Sequence, residues 1–296
     1  VRGSGEGGPN AVEGGPTLRA SDGTVLHLRA DLPGGSPRGS VVLVHGWGEH
    51  QGLYDELAGY LNEQGFEVWR YDQRGHGRSE GRRGHASAFT RLIEDLQEVW
   101  RLVETSAPGV SHRFLLGHSL GGLLVIRALQ AGAVVPDGAC VSAPWLRTLV
   151  PVPAWKALLA RIMDRWCPVL PFPNPLDGDW LTRDPERRRI REQDPLVHHW
   201  ITPRLAEEVR RAQLDALNTS RPVSVPLLAL IPLDDPVVDP EVTAHFMERL
   251  EDPGPEIVLV EGARHEPLNE VDRRERFDEV GGFFLRLSEQ ERRASE

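Results

Sequence analysis

Between the apolar runs Phe114-Leu115-Leu116 and Leu123-Leu124-Val125-Ile126 sits one serine, Ser119, fenced by Gly117, Gly121 and Gly122. A hydroxyl placed there could act as a nucleophile, provided that a base takes its proton and donors receive the oxyanion it creates. The run before it is consistent with a short buried strand, and the run after it suits a buried helix. That leaves only a sharp turn between them, which forces unusual backbone angles on its centre and demands small residues at its flanks. Gly117-x-Ser119-x-Gly121 has the spacing of a nucleophile elbow, which lifts a serine to the top of a sheet at the start of a helix. The helix N-terminus supplies N–H groups and positive partial charge where an anion would form. An ordinary serine N-cap is the plain alternative, so the rest of the chain must supply a base and an acid.

Past residue 220 the histidines are His245, inside a helical pattern and read as structural, and His265, after a strand and the loop Glu261-Gly262-Ala263-Arg264. His265 therefore stands at a strand's C-terminal end, where a neutral imidazole can serve as general base. For the acid, Asp234, Asp235 and Asp239 compete. Asp239 precedes Pro240 and a helix, which is the pattern of an N-cap with proline at N1. Asp235 is biased to extended geometry by Pro236 and is preferred over its neighbour Asp234. The acid would fix the histidine tautomer and stabilise the imidazolium. The backbone N–H groups of Leu120, after the serine, and Trp47, in the loop His45-Gly46-Trp47-Gly48, are the expected oxyanion donors.

These residues need a scaffold. The sequence predicts a hairpin from strands at Pro16–Arg19 and Val25–Arg29 around Asp22-Gly23. It then alternates strand and helix: a strand at 41–44, a helix at 53–64 stopped by Gly65, a strand at 66–71, a helix at 89–104, the elbow strand and helix, and a strand at 138–142. The rhythm breaks over 144–221, which holds many prolines and five of the eight tryptophans, and resumes with a strand at 226–231, a helix at 240–250, a strand at 256–260 and a helix from about 271 to 287. Such alternation implies an α/β fold, a mainly parallel sheet with helices on both faces. Ligands bind at strand C-termini in such sheets, so the insert is placed to be a lid. The expected division is a tail at 1–16, core at 17–143, cap at 144–221, core at 222–289 and a tail at 290–296.

Composition narrows the function classes. The net charge of −10 argues against a nucleic-acid partner, and a hydrophobic fraction of 40% supports a packed core. Two cysteines, Cys140 and Cys167, make no disulfide framework or metal spacing and are expected as reduced, packed thiols. The pair His198-His199 lacks a carboxylate or cysteine at a suitable interval for a metal. No run is long enough to span a membrane, and residues 1–16 lack a signal-peptide pattern, so a cytoplasmic protein is expected. Arg187-Arg188-Arg189 reads as a solvated helix face, with an anionic membrane surface as its alternative partner.

Taken together, VLVHGWGEHQGLYDELAGYL, YDQRGHGRSEG, LLGHSLGG, QDPL and EGARH resemble the monoacylglycerol lipase and lysophospholipase branch of the α/β-hydrolases, over about residues 17 to 287. The order Ser119, Asp235, His265 is the order of that fold, and the interval from acid to base also favours Asp235. The resemblance implies an α/β-hydrolase fold with a helical cap after the strand that follows the elbow. It implies ester hydrolysis through a Ser-His-Asp triad without metal or organic cofactor. The substrate it implies is a monoacylglycerol or related single-chain lipid ester; a lysophospholipase, a short- to medium-chain carboxylesterase and a non-catalytic binding protein are the alternatives. Glu49, His50 and Trp145 are the expected substrate contacts, and transient membrane-surface contact through the cap is expected. Asp72-Gln73-Arg74-Gly75-His76-Gly77 belongs to the family pattern and reads as a buried structural turn. Several positions depart from the family: Pro232-Leu233 before the aspartates, Gln51, Leu53, Leu268 where a second histidine can stand, and Trp47 where smaller residues are common. Serine at the elbow sets aside dehalogenase and epoxide hydrolase chemistry, and proline iminopeptidases resemble a different oxyanion and elbow pattern.

Overall fold

The computed structural model describes residues 16–150, 154–174, 176–250 and 253–294, so the tail expected at 1–16 lies, except for Pro16, outside the described residues. The first half contains β1 (Thr17–Arg19), β2 (Val25–Asp31), β3 (Gly39–Val44), α1 (Asp55–Glu63), β4 (Phe66–Tyr71), α2 (Phe89–Ser106), β5 (Arg113–His118), α3 (Leu120–Ala131) and β6 (Gly138–Ser142). The insert contributes α4 (Ala154–Trp166), β7 (Phe172–Pro173), α5 (Gly178–Leu181), α6 (Pro185–Gln193), β8 (Trp200–Ile201) and α7 (Pro203–Asn218). The chain returns to the core with β9 (Leu227–Pro232), α8 (Pro240–Glu248), β10 (Glu256–Val260) and α9 (Arg273–Ala294).

Eight strands form one sheet in the order β1-β2-β4-β3-β5-β6-β9-β10, antiparallel from β1 to β4 and parallel from there on. The parallel strands are apolar on both faces because helices cover both. Alternation within β3 sends Val42 and Val44 to one core and Val41 and Leu43 to the other. The first core is closed by α2, α3, α7 and α8, the second by α1 and α9. In α2 the buried residues Leu92, Leu96, Val99 and Val103 recur at helical spacing and form its inward stripe. Leu205, Val209, Ala212 and Ala216 of α7 belong to the same core cluster as α3, so this part of the insert is packed into the body of the protein.

Several boundaries move. The helix expected from Leu53 opens as a 3-10 turn at Gln51–Tyr54, because the His50 ring accepts the Gly52 N–H, and becomes α-helical at Asp55. The last helix starts at Arg273 and runs to Ala294, through most of the tail expected at 290–296. Cys140 is buried in the sheet as expected, whereas Cys167 is exposed just past α4.

Candidate active site

The loops after β3, β5, β9 and β10 all leave the same edge of the sheet, its C-terminal rim. Ser119 occupies the turn between β5 and α3 with φ 50° and ψ −112°, a strained conformation for a residue with a side chain. The surroundings over-determine it. A Cβ on Gly121 would overlap the Val44 carbonyl oxygen, and one on Gly117 would overlap the Gly121 carbonyl oxygen. The Ser119 carbonyl accepts the N–H groups of Leu123 and Trp145, each at 3.0 Å.

His265 Nε2 lies 2.9 Å from Ser119 Oγ, and His265 Nδ1 lies 2.8 Å from Asp235 Oδ2. A carboxylate only accepts, so Nδ1 carries the proton and Nε2 is free to accept the serine O–H. Asp235 Oδ1 is held by the N–H groups of Val237 at 2.7 Å and Val238 at 3.0 Å. Asp234 is exposed and points elsewhere, while Asp239 caps α8 through Glu241 and Val242 N–H, as its proline pattern predicted. Burial alone would disfavour the charged His265 imidazolium. The Asp235 carboxylate outweighs burial by charge and hydrogen bond, with Glu266 and Glu49 adding to it, so the histidine pKa is raised above 6.5.

The loop after β3 is braced from below. His45 Nε2 accepts the Gln73 N–H at 2.9 Å, and Gln73 donates back to the His45 carbonyl. Arg74 is gripped by Asp95 and Asp22, and Asp72 accepts the N–H groups of Gln51 and Arg78, so the Asp72–Gly77 stretch is a buried turn network. Among the described residues, neither the Trp47 nor the Leu120 backbone N–H is taken by a protein acceptor.

The expected substrate contacts separate. Trp145 lines the cavity above Ser119, and its indole N–H donates to Thr148 Oγ1 at 2.7 Å. Glu49 also touches the cavity, but its carboxylate accepts the Gly46 N–H and, at 2.7 Å, the Tyr54 hydroxyl, so it chiefly holds the loop after β3. Burial works against the Glu49 anion, yet His118, Arg191, His45 and the Tyr54 hydroxyl hold its pKa down at about 2. His50 is a correction: it is not part of the cavity wall, and its Nε2 pairs with Asp194 Oδ2 at 2.8 Å. Three residues at the site had no sequence signal. His118 stands beside His265 with ring centroids 5.0 Å apart, and burial lowers its pKa to about 4. Glu266 follows His265 and pairs with Arg191, which reaches in from α6. Among the described residues no cluster of histidine, cysteine or carboxylate is arranged to hold a metal, and no helix is long and apolar enough to cross a membrane.

Residues 35–272 match the family model described as serine aminopeptidase, S33. The chain belongs to this α/β-hydrolase family. Among its relatives, a monoacylglycerol lipase of Mycolicibacterium smegmatis is 30% identical over 261 residues, covering 86% of this chain and 90% of that protein. An uncharacterised abhydrolase domain-containing protein of Dictyostelium discoideum is 29% identical over 87% of this chain, which spans only 27% of that protein's length. The crystal structure of Paleococcus ferrophilus monoacylglycerol lipase superposes with a TM-score of 0.80 at 31% identity, over 88% of this chain and 99% of that one. Within the family the chain is thus a serine hydrolase of the monoacylglycerol lipase-like branch, with the α/β-hydrolase fold the sequence motifs implied.

Proposed function

We propose that this serine hydrolase cleaves monoacylglycerols or closely related single-chain esters with a neutral headgroup. The observation that carries the reading is a cavity of about 570 Å³ that begins at Ser119 and His265 and continues under the insert between apolar walls, among them Trp145, Leu159, Met163, Leu176 and Val209. That volume suits one acyl chain, and the walls offer it little to hydrogen-bond. The outer face of α4 supports a substrate drawn from a lipid surface, since Trp155, Leu158, Ile162 and Trp166 are exposed at helical spacing beside the cavity. The headgroup end is acidic: Glu49 and Glu266 face it with Arg191 as their shared cation. Arg191 is already paired with both carboxylates and so offers no free charge to a phosphate, which favours a glycerol-like alcohol over a lysophospholipid.

In the proposed reaction the His265 Nε2 accepts the proton of Ser119 as Oγ attacks the ester carbonyl. The N–H groups of Trp47 and Leu120 receive the oxyanion. The carbon–oxygen bond of the ester breaks, and the alcohol leaves with the proton from His265. Water then attacks the acyl-serine, His265 takes its proton, and the fatty acid departs as Ser119 regains its hydrogen.

The test is a set of initial rates on monoacylglycerols of increasing chain length, p-nitrophenyl esters, a lysophosphatidylcholine and an aminoacyl p-nitroanilide, each repeated with Ser119→Ala. Preference for medium or long monoacylglycerols, lost in the variant, is expected. Faster turnover of the lysolipid or the anilide would refute the substrate assignment, and activity surviving in Ser119→Ala would refute the nucleophile.

A further inference from the structure

We propose that Arg191, on helix α6 of the insert, is a positioning residue that holds the oxyanion loop and the base-bearing loop in register, so that seating of the cap and completion of the site are one event. The inference rests on the hydrolytic reading of Ser119 and His265 given above. Arg191 Nη1 lies 3.0 Å from Glu266 Oε1 and 3.3 Å from Glu49 Oε2. The three side chains are 12%, 6% and 2% exposed, in the order Arg191, Glu266, Glu49, so water screens them little. Through Glu49 the guanidinium acts on the oxyanion loop, because the same carboxylate accepts the Gly46 N–H, one peptide before Trp47. Through Glu266 it acts on the residue next to His265, whose other oxygen is held by Asn269 Nδ2 at 3.0 Å.

The contact is not a by-product of apolar packing. Helix α6 has no buried residue, so charge is what attaches it. Arg187 pairs with Glu56, Asp194 with His50, and Arg191 with the two site carboxylates. Of these, Arg191 alone touches both halves of the reacting centre. Without it, two buried carboxylates lose their shared cation, and each must find water, move or bind a proton. Either movement would displace a loop that the reaction needs fixed, and a displacement of about 1 Å can cost on the order of a hundredfold in rate.

Arg191 also sets the charge that His265 feels. The imidazole faces Asp235 from the loop after β9, His118 from β5, Glu49 from the oxyanion loop, its neighbour Glu266 and, behind these two, Arg191. With Glu49 and Glu266 still ionised, removing the cation leaves more negative charge around the base and the acid limb of kcat/KM moves to higher pH; burial already raises the Glu266 pKa, so a proton taken there cancels that movement and leaves the loss of kcat as the readout.

The test uses Arg191→Met and Arg191→Lys, with kcat and KM expressed per site titrated by a fluorophosphonate, on a p-nitrophenyl butyrate and a long-chain ester from about pH 5 to 9. In Arg191→Met, kcat per titrated site should fall roughly tenfold to a hundredfold on both esters, because the defect lies at the carbonyl and not along the acyl chain. The acid limb should rise by no more than about half a pH unit, and not at all where Glu266 takes the proton. Lysine should return the limb to its place and recover only part of the rate, since an ammonium lacks the planar fork. Titrated Arg191→Met sites that keep wild-type kcat would overturn the proposal, even if the titratable fraction or melting temperature drops. Should Arg191→Met fail to fold, Arg191→Lys decides, with a reduced kcat supporting the proposal and a wild-type kcat overturning it. A wild-type protein that hydrolyses neither ester would instead remove the hydrolytic reading on which this one stands.

Discussion

Replacing Asp235 by asparagine changes one atom of a pair that is 2% exposed on the aspartate side and 4% on the histidine side. Asp235 Oδ2 sits 2.8 Å from His265 Nδ1, and Oδ1 is occupied by the Val237 and Val238 N–H groups. The amide must keep its oxygen toward those two donors, so its NH₂ faces Nδ1. The imidazole is then forced to carry its proton on Nε2, where it can no longer accept from Ser119. The imidazolium that forms during attack also loses its counter-charge. With charge centres near 4 Å and an effective dielectric of about 20, that loss is about 4 kcal/mol, or roughly three powers of ten in rate. With the wrong tautomer added, kcat should fall by on the order of 10³ to 10⁴ while KM changes little. The assay is the initial rate on a p-nitrophenyl ester, with a thermal melt to show that the variant folds. Asp234→Asn is the control, since Asp234 is exposed and its backbone N–H, not its carboxylate, makes the contact to Ala263. A folded Asp235→Asn within tenfold of wild type, or an equal loss in Asp234→Asn, would refute the reasoning.

Two pH dependences complete the expectations. Because the His265 pKa is raised by Asp235 against the effect of burial, the acid limb of kcat/KM in the wild type should lie on the alkaline side of 6.5; a limb below that value would show burial winning over the carboxylate. Stability should fall on acidification, because burial depresses the pKa of His45, His76, His118 and His198, the last two to about 4. Between the unfolded value of 6.5 and those folded values the unfolded chain binds more protons, so stability present above 6.5 is lost as pH falls toward 4. Each histidine should contribute up to about 1.4 kcal/mol per pH unit, read as urea midpoints at several pH values. His76→Gln should flatten the slope between pH 6.5 and 4, and an unchanged slope would show that His76 takes up no proton on unfolding.

The meeting of Ser119, Asp235 and His265 was legible in the chain because each signal is local. Every one of them follows a run with strand periodicity, and glycine or proline beside it reports the turn it needs. The strand C-termini then had to share a rim, since parallel alternation allows little else. The helix boundaries that moved did so through equally local chemistry that periodicity does not register: the His50 ring capping a 3-10 turn, and a polar stretch that continues α9 to Ala294. Glu49 and His50 were read as substrate contacts because they are polar neighbours of the oxyanion loop. Glu49 turns to its near neighbours Gly46 and Tyr54 as well as to the distant Arg191, and His50 turns to the distant Asp194, pairings that periodicity does not register.

Local sequence thus determined the sheet, the elbow and the order of the serine, aspartate and histidine that meet at its rim, because turn chemistry and apolar periodicity act within a few residues. The tertiary structure alone decided what those groups touch. His50 meets Asp194 across 144 residues, and Arg191 meets Glu49 across 142, pairings that exist only once the insert is seated on the sheet. The charge that tunes His265, the brace on the oxyanion loop and the apolar length of the cavity all come from that seating. No window of sequence contains both partners of such contacts, so no periodicity could announce them.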